Sequence, residues 1–420
     1  MSHIEFVATT TSKHSVRVGR LQTSSGASLA TPALLYYNRL GAVPHLINTH
    51  LPALQIAGSA ASAVGASESG QPTQPDSIGM TVAMEDFLPM FSPGFPRPPV
   101  ISFDPARVSR FSNRFDSLAS YMALDEKNSI NPILIADLAD IGACSERVGS
   151  IRNKFIFGRI GGVNYKVSPK DYIQAATVLK PDILVSLFDF EAEQPGTRTK
   201  SKVDRNLGYL DMVIKEKAKS LAAASLCIFG VVDGGSDMDE RARAASKTIQ
   251  LFDNDLSGYV LPFLARTDLP TFQQSLRQTI GHLTETKPRI CYGVSSLEQL
   301  LVGIREGVDL FDSNWVCKLA EDGIALRLSE NTPETMDMKS DPQKWVHDQT
   351  VMVSNCGCPV CTRPYHRAYI NHLFKVKDML PHALLNSHNL WQFNHFFSKV
   401  RAAIQDGTLG EYLSQFEHKS

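Results

Sequence analysis

From about Val100 onward, short apolar runs alternate with longer stretches in which apolar residues recur every three or four positions. The runs are Ile133-Leu134-Ile135-Ala136, Phe155-Ile156-Phe157-Gly158, Ile183 to Phe188, Leu226 to Gly230, Gly258 to Phe263, Arg289 to Val294 and Val308 to Asp312. Such runs suit strands buried on both faces. Pro262 predicts that its strand ends there, since proline has no N–H to give to a ladder. The clearest intervening helix is Pro169 to Leu179: Ser168 is its N-cap, Pro169 sits in the first turn, Ile173, Ala176 and Leu179 share a face, and Pro181 stops it. Another runs from Leu297 to Glu306 and closes at Gly307. Strand and helix alternating over roughly 200 residues require a mainly parallel sheet, because the crossover helices must cover the strands they join. The number of strands predicts an α/β fold, a closed (β/α)8 TIM barrel, in preference to an open sheet.

The flanks read differently. In the first forty residues, Phe6 to Thr9, Ser15 to Gly19 and Ala33 to Tyr37 predict short hairpins capping one end of the larger domain. Ala57 to Pro75 is rich in Ala, Ser, Gly, Gln and Pro, with little to anchor it in a core, and Pro89, Pro93, Pro96, Pro98 and Pro99 follow. Residues 57–99 are therefore expected as a flexible loop within a barrel domain spanning 1–350. Residues 351–420 are expected as a separate helical region. There Arg367-Ala368-Tyr369-Ile370 and Leu373-Phe374 place apolar groups on one helical face, Pro381 opens the next helix, and Leu390, Phe393, Phe396, Phe397 and Val400 extend an apolar stripe. That stripe reads as core or a helical interface; base stacking is the competing reading.

Composition narrows the function classes. The chain has 42 Lys and Arg against 43 Asp and Glu, a net charge of −1, so there is no general attraction for nucleic acid, and any RNA contact needs a local patch or a partner chain. Seven cysteines, an odd number, argue against a secreted disulfide framework, and Cys144, Cys227, Cys291 and Cys317 are expected as buried thiols in a reducing compartment. No apolar run approaches the roughly 18 residues needed to span a bilayer, and Met1-Ser2-His3-Ile4-Glu5 begins no leader, so a cytoplasmic location is expected.

Two sets of residues carry candidate chemistry. Cys356, Cys358 and Cys361 form a C-x-C-x-x-C group, and His366, His372, His382, His388 and His395 follow. Three thiolates with one imidazole suit a closed, structural zinc site. The second set lies at expected C-terminal ends of strands, where a barrel places its chemistry: Asp189, Gly234-Gly235 and Asp312. These carboxylates could bind a heterocyclic base, act as a base or attack a sugar carbon; an Asp or a glycine pair after a strand is equally a cap or a turn.

On these residues the sequence resembles the queuine/archaeosine tRNA-ribosyltransferase family, and within it the eukaryotic accessory-subunit branch. Cys356, Cys358, Cys361 and the pair His388-Asn389 match the family's zinc motif, and Arg367 to Leu373 is similar to its R-A-Y-I-H-H-L segment. The resemblance implies one structural Zn2+ held by Cys356, Cys358, Cys361 and His388. Gly307 to Asp312 is similar to the strand ending in the family's nucleophilic Asp, which attacks ribose C1′ of the wobble guanosine. Asp189 would match the residue that hydrogen-bonds the base, with Gly234-Gly235 beside it. The departures are also informative: Ser313-Asn314-Trp315 stands where catalytic members carry P-T-R, and Asp137-Leu138-Ala139-Asp140 stands near where they carry D-S-G-G-F-Q. The resemblance therefore implies a non-catalytic accessory subunit, with 351–420 a zinc-binding dimerisation region that meets a catalytic subunit. The heterodimer would hold tRNA, the isolated chain would form a homodimer, and peripheral association with the mitochondrial outer membrane is implied as well. The alternatives are a transferase active alone, with Asp312 as nucleophile and Asp137 as base, or a zinc-stabilised scaffold without tRNA contact.

Overall fold

A computed structural model describes residues 4–10, 16–55, 76–91, 103–124, 131–140, 156–160, 163–189, 199–262, 268–328, 333–341, 343–363 and 365–416. Strands β1 (Ile4–Thr10), β2 (Arg17–Thr23) and β3 (Ser28–Thr31) form a small antiparallel sheet. The chain then enters a closed barrel through β4 (Ala33–Tyr37), β5 (Gly79–Ala83) and β6 (Ile133–Asp137). It leaves for an antiparallel hairpin, β7 (Ile156–Ile160) and β8 (Val163–Val167). It returns through β9 (Ile183–Val185), β10 (Cys227–Val231), β11 (Gly258–Pro262), β12 (Arg289–Tyr292) and β13 (Leu310–Asp312). All eight barrel strands are parallel neighbours in chain order, and β13 closes on β4 with Leu310 opposite Ala33 and Phe311 opposite Leu34. This is the (β/α)8 arrangement that the alternation predicts.

Three strands differ from expectation. Ala33–Tyr37 is the first barrel strand and not part of a capping hairpin; all five of its residues are buried, as a strand covered on both faces requires. Gly79–Ala83, inside the stretch read as a loop, is the second, again with every residue buried. The run at Phe155 to Gly158 lies outside the barrel, because β7 pairs antiparallel with β8 while β6 pairs directly with β9, Ile135 opposite Ile183. Residues 57–75 and 92–99 of the expected loop, and Cys144, lie outside the described residues.

The predicted helices form where their punctuation puts them. In Pro169–Leu179 the Ser168 hydroxyl accepts from the Asp171 N–H and the Asp171 carboxylate accepts from the Ser168 N–H, a reciprocal cap. Leu297–Arg305 ends before Gly307, whose φ of 84° suits glycine. At the opposite end from the candidate strand ends, buried Arg17 of β2 donates from Nε to Asp309 Oδ1 at 2.8 Å, pairs again through Nη2 with the same carboxylate, and reaches the Lys287 carbonyl at 2.7 Å. One ion pair thus ties the small sheet across the start of β13.

The 26-residue helix Leu380–Gln405 begins at the Leu380-Pro381 pair and packs along β4 and the helix Asn314–Glu321. Leu390, Phe393, Phe396, Phe397 and Val400 are all buried, and Phe397 stacks on Phe311 with ring centroids 5.8 Å apart. The stripe is core, so packing explains it and base stacking does not. A second, smaller core joins Ala320, Ala325, Met336, Trp345, Met352, the three cysteines, Ile370, Leu373 and Leu385. It draws in the hairpin β14 (Ile324–Arg327) and β15 (Glu334–Asp337), from the stretch assigned to the barrel. Among the described residues, no helix is long and apolar enough to cross a membrane.

Candidate metal centre and barrel mouth

Cys356 and Cys358 stand on an irregular segment just before the short helix Pro359–Thr362, which carries Cys361; His388 sits in the long helix. The four ligand atoms lie within 4.8 Å of one another. His388 Nδ1 is 3.9, 3.3 and 3.5 Å from the Sγ atoms of Cys356, Cys358 and Cys361. His388 Nε2 is 2.8 Å from the Leu326 carbonyl oxygen. A carbonyl only accepts, so Nε2 carries the proton and the Nδ1 lone pair faces the thiols, the tautomer a metal ligand needs. The Cys358 and Cys361 N–H groups donate to Cys356 and Cys358 Sγ at 3.5 and 3.2 Å, and Gln392 Nε2 donates to Cys356 Sγ at 3.2 Å, all of which favours thiolate.

Without a metal ion, protons take the place between these atoms, the Nδ1 position of His388 included. Hydrogen bonds from the Cys358 and Cys361 thiols hold Cys356 well below the usual thiol range, and the same pairing pushes Cys358 up. Burial opposes a charged ring at His388, but hydrogen bonds with Cys356 and Cys361 raise it to about 9. A buried cluster this ready to carry negative charge on sulfur needs a proton or a metal ion at its centre, and the donor set fits a metal ion with no position left open. Of the five histidines, His388 is the one brought to the cysteines; His382 stacks instead on His45, with centroids 5.2 Å apart.

The strand-end residues are each held by local partners. Asp312, buried at the end of β13, accepts the Gly293 N–H on Oδ2 at 2.7 Å and the Asn314 N–H on Oδ1 at 3.1 Å. Burial lifts its carboxyl to about 6, against these same hydrogen bonds. The segment after it is the helix Asn314–Glu321, with Trp315 edge-on to Phe393 at 5.7 Å. Asp137 ends β6, buried, and Leu138 beside it is fully buried, its carbonyl accepting the Glu85 N–H. Asp189 follows β9 with its Oδ2 taken by Arg205, from Nη2 at 2.6 Å and Nε at 3.1 Å. Asp233 pairs with Lys202 at 2.8 Å; burial opposes its charge, and Lys202 and Arg241 outweigh burial and lower its pKa. A Cβ on Gly234 would stand 2.5 Å from Arg241 Cα, and Gly235 has φ of 59° and donates to Asp233 at 2.9 Å. The glycine pair is thus required by the helix packed on it and by the turn.

Sequence reasoning missed Lys202, Arg205 and Asn206, although the spacing of 202, 206 and 209 on the helix Thr199–Ala218 marks one buried face. It also missed Gln392, one helical turn beyond His388.

The family model for queuine tRNA-ribosyltransferase matches residues 135–420. The chain belongs to that family. Similar relatives carry the name queuine tRNA-ribosyltransferase accessory subunit 2. The Aedes aegypti protein is 24% identical over 99% of this chain and 92% of its own length. The Danio rerio protein is 26% identical over 68% and 77%, and the Xenopus laevis protein 29% over 59% and 69%. The matched residues include Cys356, Cys358, Cys361 and His388.

Proposed function

We propose that the chain is the non-catalytic accessory subunit of a heterodimeric queuine tRNA-ribosyltransferase, supporting exchange of guanine for queuine at the tRNA wobble position. The observation that carries this is the state of Asp312. A nucleophile must present an approachable oxygen, and here Asp312 is buried, 3% exposed, with a backbone N–H on each of its oxygens. Where catalytic relatives carry P-T-R, the chain spends its residues on a helix whose Trp315 packs on Phe393. The names of the relatives support the accessory role.

In this reading Cys356, Cys358, Cys361 and His388 hold one structural Zn2+, and residues 351–420 form the dimerisation region. The helix Arg367–Lys375 supports that assignment: Ile370 and Leu373 face the cysteine cluster, while Tyr369 is 44% exposed and Val376 and Met379, just beyond, are 56% and 82% exposed. Apolar surface left open beside a rigid clasp is what a partner would cover. The catalytic subunit brings the chemistry, tRNA binds through the complex, the isolated chain pairs with itself, and the complex works in the cytoplasm. The deciding experiment is base exchange on tRNA by this chain alone, by the catalytic chain alone and by both. Exchange only in the mixture is expected; exchange by this chain alone, abolished in Asp312→Asn, would make it a transferase in its own right.

A further inference from the structure

On the flank of the barrel, a cavity of about 60 Å³ lies between the long helix and the first two barrel strands. Leu29, Ala33, Ile78 and Phe397 give it an apolar wall, while Tyr36, Asp76, Asn394 and Arg401 bring polar atoms to it. At one end, Asn394 Nδ2 donates to the Leu54 carbonyl at 2.9 Å and to the Tyr36 hydroxyl at 2.6 Å. A carbonyl only accepts, so this atom is the amide nitrogen and the phenol oxygen accepts from it. The phenol's own proton is left over, with no acceptor among the described residues. Tyr36 is 2% exposed, and burial pushes its hydroxyl up, so that proton stays. At the other end, Arg401 Nη1 donates to the Pro32 carbonyl at 2.8 Å, while its Nη2 stands 3.9 Å from Asp76, beyond hydrogen-bond reach. Asp76 is already taken by Arg20, whose Nη1 donates to its Oδ1 at 3.0 Å. Two guanidinium groups thus share one carboxylate, and Arg401 keeps donors to spare.

An unspent guanidinium fork and an unspent phenol proton both call for an acceptor, and the surplus positive charge calls for an anion. Asn394 and Arg401 are two turns apart on the helix, about 10 Å along its axis. The two donors therefore stand at opposite ends of the cavity with the apolar wall between them, a layout that suits an elongated ligand better than a spherical ion. We infer that the cavity binds a short aliphatic acid, with its carboxylate on Arg401, its carbon chain on Ala33 and Phe397, and a carbonyl or hydroxyl oxygen at its far end on Tyr36. Water could satisfy the donors, but not the charge or the apolar wall. A ligand held there joins the helix that carries His388 to β4 and β5, so its binding is read as added stability.

The test is thermal melting of the full-length chain against rising concentrations of levulinate, a keto acid, and of butyrate, a short acid without the second oxygen. Sodium chloride at equal ionic strength is the reference. Levulinate is expected to raise Tm saturably, reaching half its effect at a concentration about threefold to tenfold lower than butyrate. Tyr36→Phe keeps the ring and removes the phenol proton; it should bring levulinate to the level of butyrate and leave butyrate unchanged. Arg401→Gln should raise the half-maximal concentration of both acids by about tenfold or more. Circular dichroism establishes that each variant folds. Arg401→Lys, which keeps the charge without the fork, takes its place should the glutamine variant not fold, with an expected loss of about threefold or more. No saturable rise in wild type beyond that of sodium chloride overturns the inference and leaves the cavity to water. A rise that persists unchanged in a folded Arg401 variant overturns it as well, and so does a levulinate response that Tyr36→Phe does not weaken.

Discussion

The Nε2 atom of His388 lies 2.8 Å from the carbonyl oxygen of Leu326, so the ring that faces the three cysteines is aimed from a strand of the β14–β15 hairpin. The next residue completes the join. Asn389 accepts the Leu326 N–H at 2.9 Å and donates to the Ile324 carbonyl at 3.0 Å, and Gln392 accepts the Leu328 N–H at 3.1 Å. The hairpin, the long helix and the cysteine–histidine cluster are therefore one mechanical unit.

Asn389→Ala should show this coupling. It removes two buried hydrogen bonds and leaves a strand N–H and a carbonyl without their partner, costing about 2–3 kcal/mol. Because the same strand aims His388, metal affinity should fall with stability, by about tenfold. Metal content after dialysis against a chelator, read beside denaturant unfolding, checks both. Retained metal in a destabilised protein would separate the hairpin from the site.

His388→Ala and Cys358→Ser remove a ligand outright, and both should lose bound metal on purification. The smaller core contains Cys356, Cys358 and Cys361 among its packed residues, so its melting should shift down while the barrel is spared. Hydrogen exchange resolves the two cores: faster exchange in residues 343–389 with unchanged protection in β9 to β12 is the expected pattern.

Gly234→Ala tests the packing account of the glycine pair. Its Cβ would stand 2.5 Å from Arg241 Cα, a backbone atom near the start of the helix Met238–Phe252 that cannot swing aside. The expected loss is about 2–3 kcal/mol in denaturant unfolding. A neutral substitution would mean that the glycine had been kept for space that a ligand uses.

How much of this is legible in the sequence follows from where the information sits. Seven of the eight barrel strands show as apolar runs, and Pro169–Leu179 is announced by its own cap, because such signals are local. Gly79–Ala83 is hidden: its five residues sit between a long polar stretch and a proline-rich one, and only its neighbours Leu35 and Ile133 reveal why it is buried. The β7–β8 hairpin passes for a barrel strand for the complementary reason, since an apolar run does not say which strand it pairs with. The cysteines are legible from spacing, whereas the choice of His388 among five histidines comes from family resemblance. Arg205 and Lys202 are not legible as partners of the strand ends, because an ion pair to a carboxylate many residues away leaves no periodic trace.

Asp182 gives a pH dependence with a definite sign. Burial raises its carboxyl to about 6, against the hydrogen bond it accepts from the Leu134 N–H. Between about pH 4 and 6 the native state keeps a proton that the unfolded chain has released, so unfolding releases a proton and stability falls as pH rises through that window. Its stabilising contribution is full below about pH 4 and gone above about pH 6, on the order of 2–3 kcal/mol in all. Asp182→Asn keeps an oxygen for Leu134 and cannot ionise. The difference in unfolding free energy between mutant and wild type should therefore grow in the mutant's favour from about pH 4 to about pH 6.5. A pH-independent difference would place the Asp182 carboxyl in contact with water.

Met379→Glu and Tyr369→Asp separate assembly from folding. Both side chains are exposed, 82% and 44%, so the isolated chain should melt within about 1 °C of wild type for Met379→Glu and slightly lower for Tyr369→Asp, which also gives up its stack on Tyr365 at 6.2 Å. If this surface meets the catalytic subunit, a carboxylate placed there is desolvated without a partner on association, and affinity should fall about tenfold to a hundredfold. Analytical ultracentrifugation of the mixed chains reads the affinity, and base exchange at limiting subunit concentration should fall in step while saturating concentrations restore it. Loss of exchange that saturation does not restore would move these residues from assembly to tRNA contact. Unchanged affinity in both variants would leave the exposed apolar surface beside the cysteine cluster without the partner assigned to it.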